Sequence, residues 1–131
     1  MMIASHVLDA IVAHARECRP GECCGILVGQ DERVVASVRA RNLDDNPSRF
    51  LIDPRDHITA IKDARAQGLD IVGFYHSHPH SEAYPSPTDL AEAAYPGVLY
   101  LIVGLKNDAP EIRVFKLGGE DVEELKLRSE S

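Results

Sequence analysis

Two histidines separated by one residue, His76 and His78, are the first feature of the sequence that could do chemistry. The apolar residues 71–75 that precede them predict a buried β-strand running into the pair. Because side chains alternate between the faces of an extended chain, His76 and His78 should point to one face and Ser77 to the other. Pro79 ends ladder pairing and keeps His78 extended. Two imidazoles on one face of a strand end can bind a metal ion.

An aspartate in the following segment can supply a third ligand. Residues 86–89, Ser-Pro-Thr-Asp, predict a helix start with Ser86 as the N-cap and Asp89 at the third helical position. A carboxylate there is held by the helix N-terminus. Two neutral histidines and one carboxylate are a donor set of catalytic zinc, which keeps its fourth position for water, whereas structural zinc is usually closed by four protein ligands. The set His76, His78 and Asp89 therefore predicts a catalytic Zn²⁺ site.

Hydrolysis at such a site needs protein groups besides the ligands. Zinc lowers the pKa of its bound water to about 7 and polarises a carbonyl, but a general base and acid must still move protons. Glu22 is a candidate because it lies at the mouth of an apolar strand, although it can equally be a plain polar residue before that strand. Ser86 is either a helix cap or a hydroxyl directed at the oxyanion, and both roles can hold together. His80 is a rival ligand, but Pro79 breaks the alternation before it, and we treat it as a loop residue.

The rest of the chain predicts alternating helices and strands. Apolar residues at helical spacing predict a helix over residues 5–18, with Ser5 as its cap and His6 and His14 exposed to solvent. Further helices are predicted at 53–67 and 86–94, strands at 23–28, 33–41, 50–52, 71–75, 98–103 and 112–117, a strand or a helix at 122–127, and disorder after residue 128. This order predicts one α/β domain over residues 1–131, in which helices flank a mixed β-sheet and the strands around residues 29–32 form a hairpin.

Composition limits the classes of partner. The chain has 131 residues and a net charge of −7 with no basic run, which argues against nucleic acid and anionic membrane surfaces. We see no signal peptide and no segment long enough to span a bilayer, and we therefore expect a cytoplasmic protein. Three cysteines, Cys18, Cys23 and Cys24, are an odd number without a Cys-x-x-Cys pair, which indicates reduced thiols in place of a disulfide framework.

Taken together and in order, these motifs resemble those of a known family. Glu22 followed by Cys-Cys-Gly, residues 73–79 (Gly-Phe-Tyr-His-Ser-His-Pro) and residues 84–89 (Tyr-Pro-Ser-Pro-Thr-Asp) are similar to the JAMM motif of the MPN+ metalloproteases. Ten residues separate His78 from Asp89, as in that motif. Four spaced elements in the right order make the resemblance specific, and it covers most of the chain.

The resemblance implies a fold, a mechanism and a substrate class. It implies a cytidine-deaminase-like α/β fold, zinc held by His76, His78 and Asp89, and no other cofactor. It also implies that Glu22 is the general acid/base and that Ser86 stabilises the oxyanion. Family members cleave peptide or isopeptide bonds after the Gly-Gly tail of ubiquitin or ubiquitin-like proteins. The compact chain is similar to the small prokaryotic branch, some members of which process sulfur carriers with a ubiquitin-like fold, so such a carrier is the implied partner.

Two other functions stay open. A non-catalytic binding module of the MPN type would lack one or more motif residues, and none is missing here. A zinc deaminase shares the fold but needs His-x-Glu and Pro-Cys-x-x-Cys. The residue two positions after His76 is His78, and the sequence has no Cys-x-x-Cys, so the pattern does not favour deamination.

Overall fold

Three helices lie between the strands in the first two thirds of the chain, and the elements described after them are strands only. The computed structural model describes residues 1–44, 46, 49–93, 97–118 and 121–130. Within these residues the elements are β1 (Met2–Ala4), α1 (Ser5–Cys18), β2 (Cys24–Gln30), β3 (Arg33–Ala40), α2 (Pro54–Ala66), β4 (Asp70–His78), α3 (Pro87–Glu92), β5 (Leu99–Gly104), β6 (Glu111–Gly118), β7 (Asp121–Leu125) and β8 (Arg128–Glu130).

The strands form one mixed sheet with β4 near its centre. The strand order among the described residues is β7-β6-β5-β4-β2-β3-β1-β8. β4 runs antiparallel to β2, with Cys24 opposite His76, and parallel to β5, with His78 beside Gly104. β2 and β3 form the predicted antiparallel hairpin. The expected mixed sheet flanked by helices is confirmed.

Different helices cover the two faces of the sheet. On one face α1 buries Val7, Ile11 and Ala15 in a core that also contains Tyr75 of β4. On the other face α2 contributes Ala60 and Ala64 to a second core, which contains Phe74 of β4. Because alternate residues of β4 share a face, His76 and His78 lie with Phe74 on the side of α2, beyond the apolar part of that core.

The segments at the two ends of the described chain pair with each other. β1 was not expected, and it is parallel to both β3 and β8. The expectation of disorder after residue 128 is wrong for residues 128–130, because β8 pairs with β1 and Glu130 forms an ion pair with Arg33 at 2.7 Å. Residues 121–125 form a strand, β7, antiparallel to β6, which settles the choice left open for this segment.

Several local expectations need correction. The strand expected at residues 50–52 is only an isolated bridge between Asn42 and Ile52. α1 has Ala4 at its N-cap with no side-chain hydrogen bond, so Ser5 does not cap it. His14 is buried, with 7% of its surface exposed, because it lies on the same face of α1 as Val7 and Ile11, and its Nδ1 is 2.7 Å from the hydroxyl of Tyr75. Residue 94, the last residue expected in the third helix, lies outside the described residues.

α1, the longest described helix, has 14 residues. A bilayer-spanning helix needs about 20 predominantly apolar residues. Within the described residues, no helix has the length and apolar character needed to cross a membrane.

Candidate metal centre

The end of β4 presents two histidines to one side of the sheet. His76 and His78 are 2% and 4% exposed, respectively. Ser77, between them, points to the opposite face, where its Oγ accepts a hydrogen bond from the backbone N–H of Cys23 at 2.9 Å. The alternation expected from the His-x-His pattern is therefore present, and the strand places both imidazoles where one ion can reach them.

The N-terminus of α3 holds the carboxylate. Ser86 is the N-cap, and its Oγ accepts a hydrogen bond from the backbone N–H of Asp89 at 3.0 Å. In return, Asp89 Oδ2 accepts from the backbone N–H of Ser86 at 2.9 Å, so the two residues form a capping box with Pro87 directly after the cap. These reciprocal bonds fix the direction of the Asp89 side chain and agree with the predicted helix start.

Three donor atoms meet between these elements. His76 Nε2 and His78 Nε2 are 3.1 Å apart, and Asp89 Oδ2 lies 3.1 Å from the first and 3.0 Å from the second. Ligand atoms 2.0–2.1 Å from a tetrahedral zinc ion are separated by about 3.3 Å. The triangle is thus close in size to one face of such a tetrahedron.

The proton positions support the same interpretation. His78 Nδ1 lies 2.8 Å from the carbonyl oxygen of Glu82, which can only accept, so Nδ1 carries the proton. In the neutral ring Nε2 then has a lone pair, and this lone pair faces the carboxylate oxygen of Asp89 at 3.0 Å. Two acceptors at that distance repel each other unless a proton or a cation lies between them. The donor set therefore fits a metal ion.

Glu22 lies beside this triangle. Continuing the pairing of Cys24 with His76 by two residues places Glu22 opposite His78. The ligand atoms of Glu22, His76 and His78 all lie within 4.8 Å of one another, so this trio could also hold an ion. Glu22 is 9% exposed, and its Oε1 is buried without a hydrogen-bond partner among the described residues. Such an orphaned carboxylate oxygen is unusual in a folded protein and marks a group kept available for a ligand or for chemistry.

Burial and hydrogen bonding shift the pKa values of these groups in different directions. Burial raises the pKa of Glu22 to about 7, against a smaller opposing effect of His78. For Asp89, burial acts upward, but its close contacts with His76 and His78 outweigh it and hold the pKa of the carboxyl below its ordinary range. Burial lowers the pKa of His76. For His78, burial acts downward, but the nearby Asp89 carboxylate and the backbone carbonyl of Glu82 outweigh it, and the pKa is raised. Asp89 is therefore the permanent anion of the cluster, while Glu22 can exchange a proton near neutral pH.

An open apolar cleft adjoins the triangle. The ring of Phe50 stacks on His76 with the centroids 4.4 Å apart. From there the cleft, with a volume of 580 Å³, extends along a wall that includes Leu51, Ile52, Phe74 and Tyr100. At its rim Arg49 and Glu92 form an ion pair at 2.9 Å, which connects the segment after β3 to α3. Phe50 therefore belongs both to the wall of the cleft and to the surroundings of His76.

Asn42 was missed by sequence reasoning. Its Nδ2 donates to the carbonyl oxygens of Glu22 at 3.0 Å and Arg49 at 3.1 Å. Its Oδ1 accepts from the backbone N–H groups of Asp44 and Leu51, each at 2.9 Å. Asn42 thereby joins the segment that lines the cleft to the backbone of Glu22. In the sequence it is one polar residue in a polar loop, and no local pattern separates it from its neighbours.

The structure brings the predicted site residues together. His76, His78 and Asp89 form the triangle, Ser86 is bonded to Asp89, and Glu22 lies next to the histidines. The three cysteines are free, as expected, and Cys23 and Cys24 are buried. Burial raises the pKa of both of these thiols to about 12, so they are not nucleophiles. His80, the rival ligand, is exposed.

Comparison with known proteins agrees with this geometry. Residues 4–118 match the family described as prokaryotic homologs of the JAB domain. A desampylase of Haloferax volcanii is 37% identical over 109 residues, which cover 78% of each chain. A CysO-cysteine peptidase of Mycobacterium tuberculosis is 29% identical over 120 residues, 89% of this chain and 82% of the peptidase. The solution structure of protein DSY2949 from Desulfitobacterium hafniense is similar with a TM-score of 0.91 and 34% identity, and it covers 98% of this chain and 92% of that one. The chain therefore belongs to the prokaryotic homologues of the JAB domain, the small prokaryotic branch of the JAMM/MPN family.

Proposed function

We propose that this protein is a zinc-dependent peptidase or isopeptidase that hydrolyses the bond after the C-terminal Gly-Gly tail of a ubiquitin-like protein, with a sulfur carrier as the favoured substrate class. The observation that carries the proposal is the convergence of His76, His78 and Asp89 within 3.1 Å of one another, next to the buried carboxyl of Glu22. Relatives named a desampylase and a CysO-cysteine peptidase support a hydrolase. The second name refers to a bond to a single cysteine, which supports a small leaving group.

His76, His78 and Asp89 are the residues that would hold the metal. Asp89 is preferred to Glu22 as third ligand because it lies closer to both histidines and keeps its charge at neutral pH. Zinc is favoured over magnesium or calcium because two of the three donors are imidazoles. When bound, zinc supplies Lewis acidity, which polarises a carbonyl and lowers the pKa of water.

Glu22 is the proton carrier in this proposal. Its buried carboxyl has a pKa of about 7, so at neutral pH an appreciable fraction is ionised and can take a proton from the attacking water. The same carboxyl, now protonated, can give that proton to the departing amine, which leaves as a neutral group. No hydrogen bond from the described residues holds Oε1, so this oxygen is free for both transfers.

Ser86 is the residue that stabilises the developing charge on the scissile carbonyl oxygen in this proposal. Its Oγ already accepts the capping hydrogen bond from Asp89, so its own proton is free to point outward. A hydroxyl directed at the oxyanion is worth more in a half-buried site than in water, because it needs no reorganisation during the reaction.

The composition supports a protein partner in the cytoplasm. The net charge of −7 disfavours nucleic acid and anionic membranes as partners. All three cysteines are free thiols, which is typical of a reducing compartment.

The test uses the zinc-loaded protein and a ubiquitin-like domain that ends in Gly-Gly followed by a short peptide. We expect cleavage directly after Gly-Gly, and its loss when a chelator removes the metal. Glu22→Gln should keep the metal and lose at least about 10²-fold in kcat, since general acid–base catalysis typically contributes that much. Glu123→Gln, which changes an exposed glutamate on β7 away from the histidines, is the matched control and should cleave normally.

Two outcomes oppose the proposal. Cleavage by Glu22→Gln at the wild-type rate would exclude Glu22 as the base. A purified protein that binds its partner normally but takes up no metal would instead be a non-catalytic binding module.

A further inference from the structure

We propose that Glu111 is a positioning residue for His78, and that it acts through the peptide group between Glu82 and Ala83. Glu111 Oε1 accepts a hydrogen bond from the backbone N–H of Ala83 at 2.8 Å. The carbonyl oxygen of the same peptide group, that of Glu82, accepts from His78 Nδ1 at 2.8 Å. The 82–83 peptide group thus connects the carboxylate of Glu111, which accepts its N–H, to the imidazole of His78, which donates to its C=O. The inference rests on the proposed function only in treating His78 as a metal ligand.

The sheet brings these groups together from distant parts of the chain. His78 ends β4 and pairs with Gly104, which ends β5, and Gly104 pairs with Glu111, which begins β6. The segment that follows β4 folds back over these strand ends, and Ala83 is fully buried there. A Cβ at Gly104 would lie 2.8 Å from the backbone nitrogen of Ala83. The glycine therefore lets the 82–83 peptide approach the sheet closely enough to meet the carboxylate of Glu111.

The hydrogen bond from Ala83 to Glu111 should affect the orientation and proton position of the His78 ring as well as the position of the loop. When a carboxylate accepts a hydrogen bond from the N–H of a peptide group, its charge polarises that peptide group. The carbonyl oxygen of the peptide group then becomes a stronger hydrogen-bond acceptor. A stronger acceptor holds the proton on His78 Nδ1, which fixes the ring orientation and keeps the Nε2 lone pair for a metal. Partners of this kind behind a metal ligand typically change metal affinity by about 10–100-fold when they are removed.

A purely structural role for Glu111 makes a different prediction. If the carboxylate only anchors the loop, any acceptor oxygen of the same size should suffice, and the charge should not matter. Glu111→Gln keeps Oε1 as an acceptor but removes the charge, whereas Glu111→Ala removes the acceptor. Comparing the two separates polarisation of the peptide from simple anchoring.

The experiment measures Zn²⁺ affinity by competition with a chelator and records ¹H–¹⁵N spectra of the imidazole rings in the metal-free protein. We expect Zn²⁺ affinity to fall by at least tenfold in Glu111→Ala and about threefold in Glu111→Gln. The proton resonance of His78 Nδ1 should move upfield in both variants, further in Glu111→Ala. The controls are Glu123→Ala and Glu123→Gln, which alter an exposed glutamate on β7 and should stay within about twofold of wild type.

The outcomes are decisive in both directions. Glu111→Ala with wild-type Zn²⁺ affinity and an unchanged His78 ring would overturn the inference, and so would weaker affinity without any change at Nδ1. If Glu111→Ala does not fold, Glu111→Gln decides, because an unchanged resonance and affinity in that variant would show that the charge has no effect. Neither readout uses a substrate, so a protein without peptidase activity would contradict the proposed function and leave this inference standing.

Discussion

The hydroxyl oxygen of Ser77 accepts a hydrogen bond from the backbone N–H of Cys23 at 2.9 Å, and both residues are buried. The backbone of Ser77 also donates to the carbonyl oxygen of Cys23 at 3.2 Å. Ser77 separates His76 from His78, and Cys23 directly follows Glu22. These two hydrogen bonds therefore join β4, which carries the histidines, to the residues just before β2, which include Glu22. They set the distance between Glu22 and the two histidines.

Replacing Ser77 by alanine should move Glu22 relative to the histidines. The change removes the acceptor and leaves the buried N–H of Cys23 without its partner, which typically costs about 1–3 kcal/mol of unfolding free energy. We expect metal binding to persist and kcat to fall by about tenfold with little change in KM. Urea unfolding, metal content and steady-state kinetics measure the three effects. Ser81→Ala, at an exposed position, is the control, and equal kcat values in the two variants would show that this bond does not position Glu22.

Ser86 combines a structural and a chemical role that two substitutions can separate. Glycine is tolerated at an N-cap for a few tenths of a kcal/mol, so Ser86→Gly should leave stability nearly unchanged while removing the hydroxyl. Loss of one oxyanion donor typically lowers kcat by about 10²–10³-fold. Ser86→Thr keeps both the cap and the hydroxyl and should restore most of the rate. If Ser86→Gly retains wild-type kcat, Ser86 is only a cap.

Short-range rules account for the parts of the site that could be predicted. The two histidines share a face because strand alternation depends only on adjacent residues, and the helix start at Ser86 follows from a capping pattern four residues long. The position of Glu22 beside the histidines could not be predicted in this way, because it depends on the register of β2 against β4, which no local rule specifies. The family resemblance supplied that step.

The features that escaped prediction depend on contacts between distant residues. β1 and β8 have three residues each, too few for a periodic signal, and they form because opposite ends of the chain meet. His14 was expected in solvent because it is polar. Its position indicated otherwise, since it lies seven residues after Val7 and three after Ile11, on the buried face of α1. Its partner, the hydroxyl of Tyr75, is 61 residues away in sequence.

The His14–Tyr75 pair should stabilise the fold without taking part in metal binding. Tyr75 is 1% exposed, so Tyr75→Phe leaves His14 Nδ1 without its partner and should cost about 1–2 kcal/mol at pH 7. Zn²⁺ affinity should stay within about twofold of wild type, because Tyr75 faces away from His76 and His78. Tyr84→Phe, at a residue 47% exposed, is the control and should be nearly neutral.

A double mutant tests whether the two side chains act on each other. His14→Leu combined with Tyr75→Phe removes both polar groups and should be less destabilised than the sum of the single variants. Strict additivity of the two unfolding free energies would mean that the hydrogen bond contributes nothing.

The buried carboxyl of Glu22 should make the metal-free protein less stable as the pH rises. Burial raises its pKa from 4.5 to about 7, so between these values the folded state binds the proton more tightly than the unfolded state does. The contribution of the protonated Glu22 carboxyl to folding stability is complete below about pH 4.5 and is lost as the pH rises through about 7.

The Glu22→Gln variant tests this, because the amide does not titrate. Its stability relative to wild type should therefore increase between pH 5 and pH 8, by on the order of 1–3 kcal/mol. Urea unfolding in the presence of a chelator measures this difference. A difference that is constant with pH would mean that Glu22 ionises normally.

Gly104 should be required for the approach of the loop that contacts His78. A Cβ at this position would lie 2.8 Å from the backbone nitrogen of Ala83 and 3.1 Å from the carbonyl oxygen of Ser81, and backbone atoms cannot rotate aside as a side chain can. Gly104→Ala should therefore cost about 1–3 kcal/mol of unfolding free energy, as overpacking typically does, and should weaken Zn²⁺ binding by displacing the Glu82 carbonyl. Gly118→Ala is the matched control at the end of the next strand, where no described atom lies within 4 Å of the new Cβ, and it should change stability by less than about 0.5 kcal/mol. Wild-type stability and Zn²⁺ affinity in Gly104→Ala would mean that the loop moves aside without disturbing His78. In that case the close packing of Ala83 against β5 would not be required to position the His78 ring.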